Sequence, residues 1–256
     1  DEPHVAASSS VDFFEKGTYN SIPFEDVVKE IANNAFVSRI CPNPNDPLFL
    51  NLRIKSANKE IYDKIANYLA KYLDDRMLPS KYSYEYLDKE THHNLSNVHL
   101  DRLVGKVIIM VDKKNISVED SKLFEYINIA STSMFMHTLD NETIQHDNQD
   151  ETIKFNKCQL TMSVPPLNDR AVNYDATLMK AYGVQMIAMC FQTNLETDSN
   201  LRAYIQWFNQ EGHAFILKDE AFRGICEEVI ESTIEIPPEN SYAPKVVETP
   251  LVKFEI

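Results

Sequence analysis

The sequence is poor in glycine and in positive charge. Its five glycines form no phosphate-binding loop and no dinucleotide fingerprint, and no G-x-S-x-G nucleophile motif occurs. The 25 basic residues are outnumbered by 39 acidic ones, and the net charge of −14 argues against binding to nucleic acid or to an anionic membrane surface. No apolar run approaches the roughly 18 residues that a membrane-spanning helix needs. We therefore expect no nucleic-acid partner and no transmembrane segment.

Cysteine is also scarce, with four residues and no C-x-x-C pair, which excludes a zinc knuckle or redox pair of the usual spacing. The histidine pair at 92–93 lacks further ligands at metal-binding spacing. The cysteines fit a reducing compartment, and we expect an intracellular protein that is cytoplasmic or part of a large assembly. No signal peptide is present and the chain begins at Asp1 without methionine, so we expect a fragment or a processed product.

What the sequence does contain is an alternation of strands and helices. Hydrophobic residues make up 43% of the chain and charged residues 25%, values typical of globular proteins. Apolar residues recur at helical spacing in residues 24–35 and again in residues 61–73. Residues 47–53 and 105–112 have the composition of buried strands. This order predicts an α/β fold with a parallel sheet that is closed or covered by helices.

The second half of the chain is less regular. Further strands are predicted at residues 124–130, 157–164, 184–191 and 214–217. Residues 139–152 are acidic and rich in amides, and we predict a mobile loop there. The tail, residues 234–256, contains four prolines and is predicted to be an extended arm that lies on a surface and contacts protein partners.

Two blocks near the end of the chain carry a family resemblance. Residues 183–193 read G-V-Q-M-I-A-M-C-F-Q-T, and residues 212–218 read G-H-A-F-I-L-K. Together they resemble the closing segment of the Y half of the catalytic barrel in eukaryotic phosphoinositide-specific phospholipase C. Weaker matches occur in the family's order: I-P-F-E-D-V-V at 22–28, P-L-F-L-N-L at 47–52, G-K-V-I-I at 105–109, F-N-K-C-Q-L-T at 155–161 and N-Y at 173–174.

The resemblance implies a phospholipase C-like, TIM-type β/α barrel in two halves joined by an acidic linker. It assigns residues 1–115 to the X half, 116–155 to a variable strand and the linker, and 156–233 to the Y half, followed by the arm at 234–256. On this alignment Val5-Ala6-Ala7 ends a barrel strand, six of the eight strands are present and the first two are absent. Upstream sequence or another element would then have to cover the gap.

The resemblance also supplies a set of catalytic positions, and this sequence departs from them. The family cleaves an inositol-lipid phosphodiester, with calcium held by carboxylates and two histidines beside the phosphate. Ala7 stands at the second histidine and Arg53 at a calcium-binding glutamate, while Met110, Met162 and Val164 replace a lysine, an arginine and a tyrosine that bind phosphate or substrate. Arginine cannot ligate calcium because its guanidinium group has no acceptor. We therefore predict no catalytic residue, no metal and no cofactor, the calcium site being lost.

Two functions remain open on the sequence. We favour a catalytically inactive barrel that serves as a structural or protein-interaction module in a larger assembly. The alternative is an active phosphoric diester hydrolase whose remaining catalytic residues lie upstream of Asp1. The candidate ligand-binding residues are Arg53, Lys113 and Lys114, which could hold a phosphate or a carboxylate at the barrel mouth, although such an arginine more often pairs with a neighbouring acid. Phosphoinositide binding is possible but is not favoured.

One structural feature separates these two functions. An enzyme of this fold needs a polar pocket at the carboxyl ends of its strands. A structural module could have the same place filled by apolar side chains, and the sequence names Met110, Met162 and Val164 for it.

Overall fold

The computed structural model describes residues 2–6, 20–41, 43–84, 95–112, 118–131, 133–166, 172–224, 246–248 and 253–255. The chain divides into a large unit, residues 1–226, and a small unit, residues 227–256. In the small unit, Val246–Glu248 and Lys253–Glu255 form an antiparallel strand pair. The tail predicted as an extended arm therefore contains a paired hairpin, and its contact with partners remains a prediction.

The wall of the large unit is made of parallel strands, as the sequence predicts. The strands in chain order are β1 (His4–Val5), β2 (Ile22–Pro23), β3 (Leu48–Leu52), β4 (Val107–Asp112), β5 (Ile129–Ser131), β6 (Met136–Asp140), β7 (Leu160–Val164) and β8 (Met186–Ile187). Strands β3, β4 and β5 form one parallel sheet, and β6, β7 and β8 form a second. The parallel α/β class is thereby confirmed.

Helices connect these strands and cover their outer faces. They are α1 (Phe24–Asn34), α2 (Lys59–Leu73), α3 (Asn141–His146), α4 (Gln149–Cys158), α5 (Ala176–Lys180) and α6 (Ser199–Glu211). Short 3-10 helices lie at Ser80–Tyr82, Leu95–Asn97, Leu100–Leu103, Lys122–Tyr126 and Glu220–Phe222. The two helices predicted in the first half correspond to α1 and α2, and Asn58 caps α2 by accepting a hydrogen bond from Glu60 N at 3.0 Å.

The two faces of β4 belong to different cores. Val107, Ile109 and Val111 are buried with the apolar faces of α1 and α2. Ile108 and Met110 face the other way because successive side chains of a strand alternate. They enter a second buried cluster that contains side chains from both sheets, including Ile129, Met136, Leu160, Met162, Val164 and Met186. This second cluster fills the interior of the barrel, between the two sheets.

The N-terminal strand lies outside the wall, so its predicted place in the barrel is wrong. The sequence resemblance puts residues 5–7 at the end of a barrel strand, but β1 pairs antiparallel with β2. Val5 is 43% exposed, whereas a barrel strand is covered on both faces. Glu2 holds the segment against α2 by accepting hydrogen bonds from Tyr68 Oη at 2.8 Å and from Lys64 Nζ at 2.5 Å. The six parallel strands of the wall include both β5 and β6 instead.

The prediction of a mobile loop at residues 139–152 is also wrong. This segment contains the end of β6, all of α3 and the start of α4. One acid and one amide in this segment, Asp140 and Asn148, are helix N-caps. Asp140 Oδ1 accepts a hydrogen bond from Thr143 N at 2.8 Å, and Asn148 Oδ1 accepts one from Asp150 N at 3.1 Å. The composition misleads because the residue types that cap helices are those that also favour turns.

Three of the predicted strands differ in the structure, and the one predicted at residues 184–191 is reduced to Met186–Ile187. Residues 122–126 form a 3-10 helix and the strand begins only at Ile129. Residues 214–217 form no strand and cross the amino ends of the barrel strands instead. There the Phe215 ring lies 6.0 Å from the Phe49 ring of β3, and Lys218 Nζ donates a hydrogen bond to Asn156 O, shortly before β7, at 2.7 Å.

Alanine at Gly224 should destabilise the fold by about 3 kcal/mol, because a Cβ there would overlap the carbonyl oxygen of Lys157 and would force the two backbones apart. Gly212, which ends α6 with φ of 72°, is the matched control. A Cβ at Gly212 meets open space, so Gly212→Ala should cost only the roughly 1 kcal/mol of left-handed strain. Urea unfolding of both variants measures the difference, and equal losses would contradict the close approach of the two backbones at Gly224.

Candidate functional site

The carboxyl ends of the parallel strands form the edge at which α/β barrels bind ligands. Side chains two residues apart on a strand lie on the same face of the sheet. The residue two positions after the last interior residue of a strand therefore lies at the mouth of the barrel. Asn51 marks the interior face of β3, since its Nδ2 lies 3.9 Å from Met162 Sδ. The mouth positions found in this way are Arg53, Asp112, Ser131, Asp140 and Val164.

The two acids at the mouth have structural partners. Asp112 lies opposite Ser131 in the β4–β5 ladder and accepts a hydrogen bond from Ser131 Oγ at 3.2 Å. Asp140 caps α3 and accepts hydrogen bonds from both N and Oγ1 of Thr143. The backbone hydrogen bond from Thr143 is the main reason that the pKa of Asp140 lies below its ordinary value. These carboxylates stabilise the edge of the wall.

The space below the mouth is filled by apolar side chains. Met110 is 1% exposed and Met162 is 8% exposed, and both belong to the interior cluster. Val164 is partly buried against the same cluster. All three residues that replace the family's phosphate- and substrate-binding side chains are thus brought together, as an apolar plug.

The structure places only part of the predicted ligand set. Arg53 directly follows β3 and is exposed at the mouth. Lys113, Lys114 and Ala7 lie outside the described residues, so their place at the mouth remains a prediction.

The residues present do not fit a calcium ion. At the position that the resemblance gives to a calcium-binding glutamate, Arg53 presents donors only and carries a fixed positive charge. Within the described part of the chain, no group of three histidine, cysteine, aspartate or glutamate side chains could hold a metal. Calcium takes six to eight oxygen ligands, and the described part of this edge brings no such group together.

Sequence reasoning missed the side chain that organises the rim above β7 and β8. Asn173 is 5% exposed, and its side-chain amide makes two hydrogen bonds to the backbone of Cys190. Oδ1 accepts from Cys190 N at 2.6 Å and Nδ2 donates to Cys190 O at 3.0 Å. Nδ2 also donates to Thr193 Oγ1 at 3.1 Å and to Asp198 Oδ2 at 2.8 Å. The only signal in the sequence was its place in a family-like block.

Tyr174 makes a second link in the same rim. Its hydroxyl hydrogen-bonds with Ser163 Oγ at 2.7 Å and donates to Ala188 O at 2.9 Å, which ties the loop after β7 to β7 and to the residue following β8. Burial raises the pKa of Tyr174 to about 12, so the hydroxyl keeps its proton across the physiological range. This tyrosine is a structural group rather than an acid–base catalyst.

Three family-like blocks, at residues 155–161, 183–193 and 212–218, meet at the opposite, amino-terminal edge. Gln185 Nε2 donates to the carbonyl oxygens of Asn156 and Gln159, and its Oε1 accepts from Thr161 N at 2.9 Å. Lys218 reaches the same Asn156 carbonyl. The residues that carry the sequence resemblance therefore hold strands, helices and the closing segment together.

Comparison with known proteins reveals a match of fold without a match of sequence. No protein-family profile and no curated protein sequence matches the chain. The crystal structure of PLC21 from L. pealei matches with a TM-score of 0.60 and 20% identity, covering 80% of this chain and 30% of that one. PLC21 from S. officinalis matches with a TM-score of 0.56 and 17% identity, covering 87% and 31%. The fold is similar to that of part of these phospholipase C (PLC) structures.

The phospholipase C fold is present here as an incomplete barrel. The chain spans about three tenths of the length of either PLC21 chain. In the described part of the wall, β3, β5, β6 and β8 each have a hydrogen-bonded strand on one side only, so the barrel is not closed. No described helix of this phospholipase C-like chain is long and apolar enough to cross a membrane.

Proposed function

We propose that this chain is a non-catalytic phospholipase C-like module with a structural or protein-interaction role in a larger assembly. The observation that carries the proposal is the apolar plug below the barrel mouth. A phosphodiesterase must bind and neutralise a phosphate at this edge, and Met110 and Met162 fill the space directly below it with buried thioether side chains.

The charges at the mouth point the same way. Metal-assisted phosphodiester cleavage needs several oxygen ligands gathered around one ion. Arg53 offers none, and among the described residues Asp112 and Asp140 belong to no group of three side chains that could hold a metal. A phosphate or carboxylate held by Arg53, Lys113 and Lys114 stays a prediction, and it would be binding without catalysis.

The third support comes from the roles of the matching residues. Asn173, Tyr174, Gln185 and Lys218 stabilise the barrel through hydrogen bonds to backbone carbonyls. The family-like part of this sequence is therefore its scaffold, while the positions that would perform the chemistry differ.

Hydrolysis of phosphatidylinositol 4,5-bisphosphate in mixed micelles, with calcium and with a chelator, tests the proposal. The chain is assayed within its full-length parent, because the alternative hydrolase would need residues upstream of Asp1, and we expect no calcium-dependent release of inositol phosphate. The double variant Ala7→His, Arg53→Glu is measured beside it, and activity in that variant alone would identify these two positions as the lost ones. Calcium-dependent turnover by the unmodified chain would overturn the proposal and favour the hydrolase.

Calcium binding can be tested separately from turnover. A calcium site filled at a hundred times its Kd would add about 2.7 kcal/mol of stability. For a chain of this size that corresponds to a rise in Tm of roughly 5–10 °C. We expect no rise for the unmodified chain, with magnesium as the control for ionic strength, and a calcium-specific rise would contradict the lost site.

A further inference from the structure

The face opposite the mouth lies at the amino-terminal ends of the parallel strands, and the chain crosses it in several places. Residues 95–106 cross from β7 to β4, and Ser96 Oγ donates a hydrogen bond to Cys158 O, two residues before β7, at 2.8 Å. The turn before β6 joins the same face, because Phe135 O accepts a hydrogen bond from Leu160 N, at the start of β7, at 3.0 Å.

The loop before β3 and the closing segment complete this amino-terminal face. Gly105 N donates to Asn45 O at 2.7 Å, which places that loop beside residues 95–106. Asn43 Nδ2 of the same loop donates to Gly212 O, at the start of the closing segment, at 3.1 Å. The amino-terminal face therefore consists of the described residues within 36–47, 74–77, 95–106, 133–135, 156–159 and 212–218.

A cluster of aliphatic side chains is exposed on this face. Eleven large apolar side chains are exposed in the described part of the chain, and five of them lie here: Ile40, Leu100, Val104, Met134 and Leu217. Leu217 is 75% exposed and Ile40 is 61% exposed. Four separate segments supply the five side chains, each from a turn, a loop or a short 3-10 helix. The other six are divided among the mouth, α5 and the N-terminal strand pair.

The charge of the amino-terminal face is opposite in sign to that of the rest of the chain. Its six basic residues are Arg39, Arg76, Arg102, Lys106, Lys157 and Lys218, and it contains four aspartates. The face therefore has a net charge of +2, and the remainder of the chain has −16. Charges more than about 8 Å from a contact are largely screened at physiological ionic strength. An anionic surface that touches this face alone is therefore attracted, although the net charge of the whole chain argues against such a partner.

The composition of the face indicates the class of that partner. Protein–protein interfaces are enriched in aromatic residues and poor in lysine. Here the exposed large apolar side chains among the described residues are aliphatic or methionine, and three of the six basic residues are lysines. Aliphatic side chains together with lysine and arginine are typical of protein surfaces that lie on a bilayer, where the former enter the headgroup layer and the latter attract anionic lipids.

We propose that the amino-terminal face binds the surface of an anionic lipid bilayer, with Ile40 and Leu217 inserted among the headgroups. The contact is peripheral, because only side chains from turns and loops enter the lipid. The mouth then points away from the bilayer, which is the reverse of the orientation that cleavage of a membrane lipid requires. The inference therefore goes beyond the non-catalytic module and agrees with it.

Cosedimentation of the chain with vesicles tests the proposal. Vesicles of equal parts phosphatidylcholine and phosphatidylserine are compared with vesicles of phosphatidylcholine alone. We expect binding to the anionic vesicles to be stronger by at least about fivefold, since each basic residue near such a surface contributes about that factor. Raising the salt concentration from about 0.1 M to about 1 M shortens the Debye length from about 10 Å to about 3 Å and should remove most of this preference.

The double variant Ile40→Ser, Leu217→Ser should bind the anionic vesicles at least about tenfold more weakly, because binding scales with the apolar area that is inserted. The matched control is Phe191→Ser, Leu195→Ser, which removes exposed apolar side chains beyond β8, at the mouth end, and should bind like the unmodified chain. All four side chains are exposed, so both variants should keep the circular dichroism spectrum of the unmodified chain.

Several results would overturn the proposal. Equal binding to the two kinds of vesicle would remove the role of the basic residues. Absence of binding to either kind would leave a protein as the partner of this face. Binding that is lost in the variant of Phe191 and Leu195 but kept in the variant of Ile40 and Leu217 would show that the mouth faces the lipid, as a hydrolase requires.

The outcome is independent of the catalytic test. A chain that hydrolyses the lipid, yet binds vesicles through Ile40 and Leu217, would refute the inactive module and leave the lipid-binding face standing. An inactive chain that ignores both kinds of vesicle would refute the lipid-binding face alone.

Discussion

Replacing Met110 by lysine should lower the free energy of unfolding by about 4–5 kcal/mol at pH 7. The side chain is 1% exposed and lies in the barrel interior with Ile108 and Met162. A lysine buried there must give up its proton, and holding it neutral three pH units below its ordinary pKa of about 10.4 costs roughly this amount. Urea unfolding monitored by circular dichroism measures the loss. The substitution restores the family's residue, so it also tests whether the mouth can accept a cation.

Met110→Leu is the matched control and should cost less than about 1.5 kcal/mol, since the volume is nearly kept. The pH dependence supplies an independent check. The folded lysine has the lower pKa, so the unfolded chain binds more protons and the variant gains stability as pH rises. The gap between the lysine and leucine variants should therefore narrow between pH 7 and about pH 10. A lysine variant as stable as the leucine variant at pH 7 would mean a hydrated mouth and would favour the hydrolase.

Replacing Asn173 by alanine should destabilise the chain by about 3 kcal/mol. The substitution leaves the N–H and carbonyl of Cys190 without the amide that now bonds both, and it removes a donor from Asp198. Losing one partner of a buried hydrogen bond costs about 1–3 kcal/mol, and more when a charge is left behind. Thermal and urea unfolding measure the effect. Asn209→Ala, on the exposed side of α6, is the control and should change stability by less than about 0.5 kcal/mol.

The dependence of the free energy of unfolding on pH below neutrality shows whether Asn173 acts through its hydrogen bond to Asp198 or only through packing. Hydrogen bonds from Leu201 N, Asn173 and Thr193 hold the pKa of Asp198 below its ordinary value. A lowered pKa contributes stability at neutral pH that is lost as pH falls through the acid range. The difference between the unmodified chain and Asn173→Ala should therefore shrink below about pH 4. A difference that stays constant with pH would show that Asn173 acts without the carboxylate.

Strong periodicity decided which parts of the fold the sequence could predict. The apolar residues of α1 and α2 recur at helical spacing over ten residues or more, and those of β4 fill the whole strand. In these elements the residues that the local pattern marks as apolar are therefore the ones that the fold buries. Residues 139–152 failed because Asp140 and Asn148 are helix caps whose residue types also favour turns. The barrel strand predicted at residues 5–7 is wrong for its described part, Val5, for a tertiary reason: the hydrogen bonds of Glu2 to α2 are invisible in the local sequence pattern.

The candidate site was predictable only as a list of substitutions. The resemblance identified Arg53, Met110, Met162 and Val164 as departures, and the structure shows that the last three meet in one apolar cluster. The roles of Asn173 and Gln185 were not predictable, because an amide that bonds a distant backbone leaves no periodic signal. Their partners lie 17 to 29 residues away in the sequence.

The break in the wall between β5 and β6 has a consequence for how the chain can be cut. In the described structure no ladder joins these two strands, and the turn between Ser131 and Met136 carries only an isolated bridge. Each sheet is built from one continuous stretch, residues 48–131 or residues 136–187. A peptide-bond cut at this turn would sever no strand ladder. Two separately expressed halves could still associate through the interior apolar cluster and through links such as Ser96 Oγ to Cys158 O at 2.8 Å and Asn43 Nδ2 to Gly212 O at 3.1 Å.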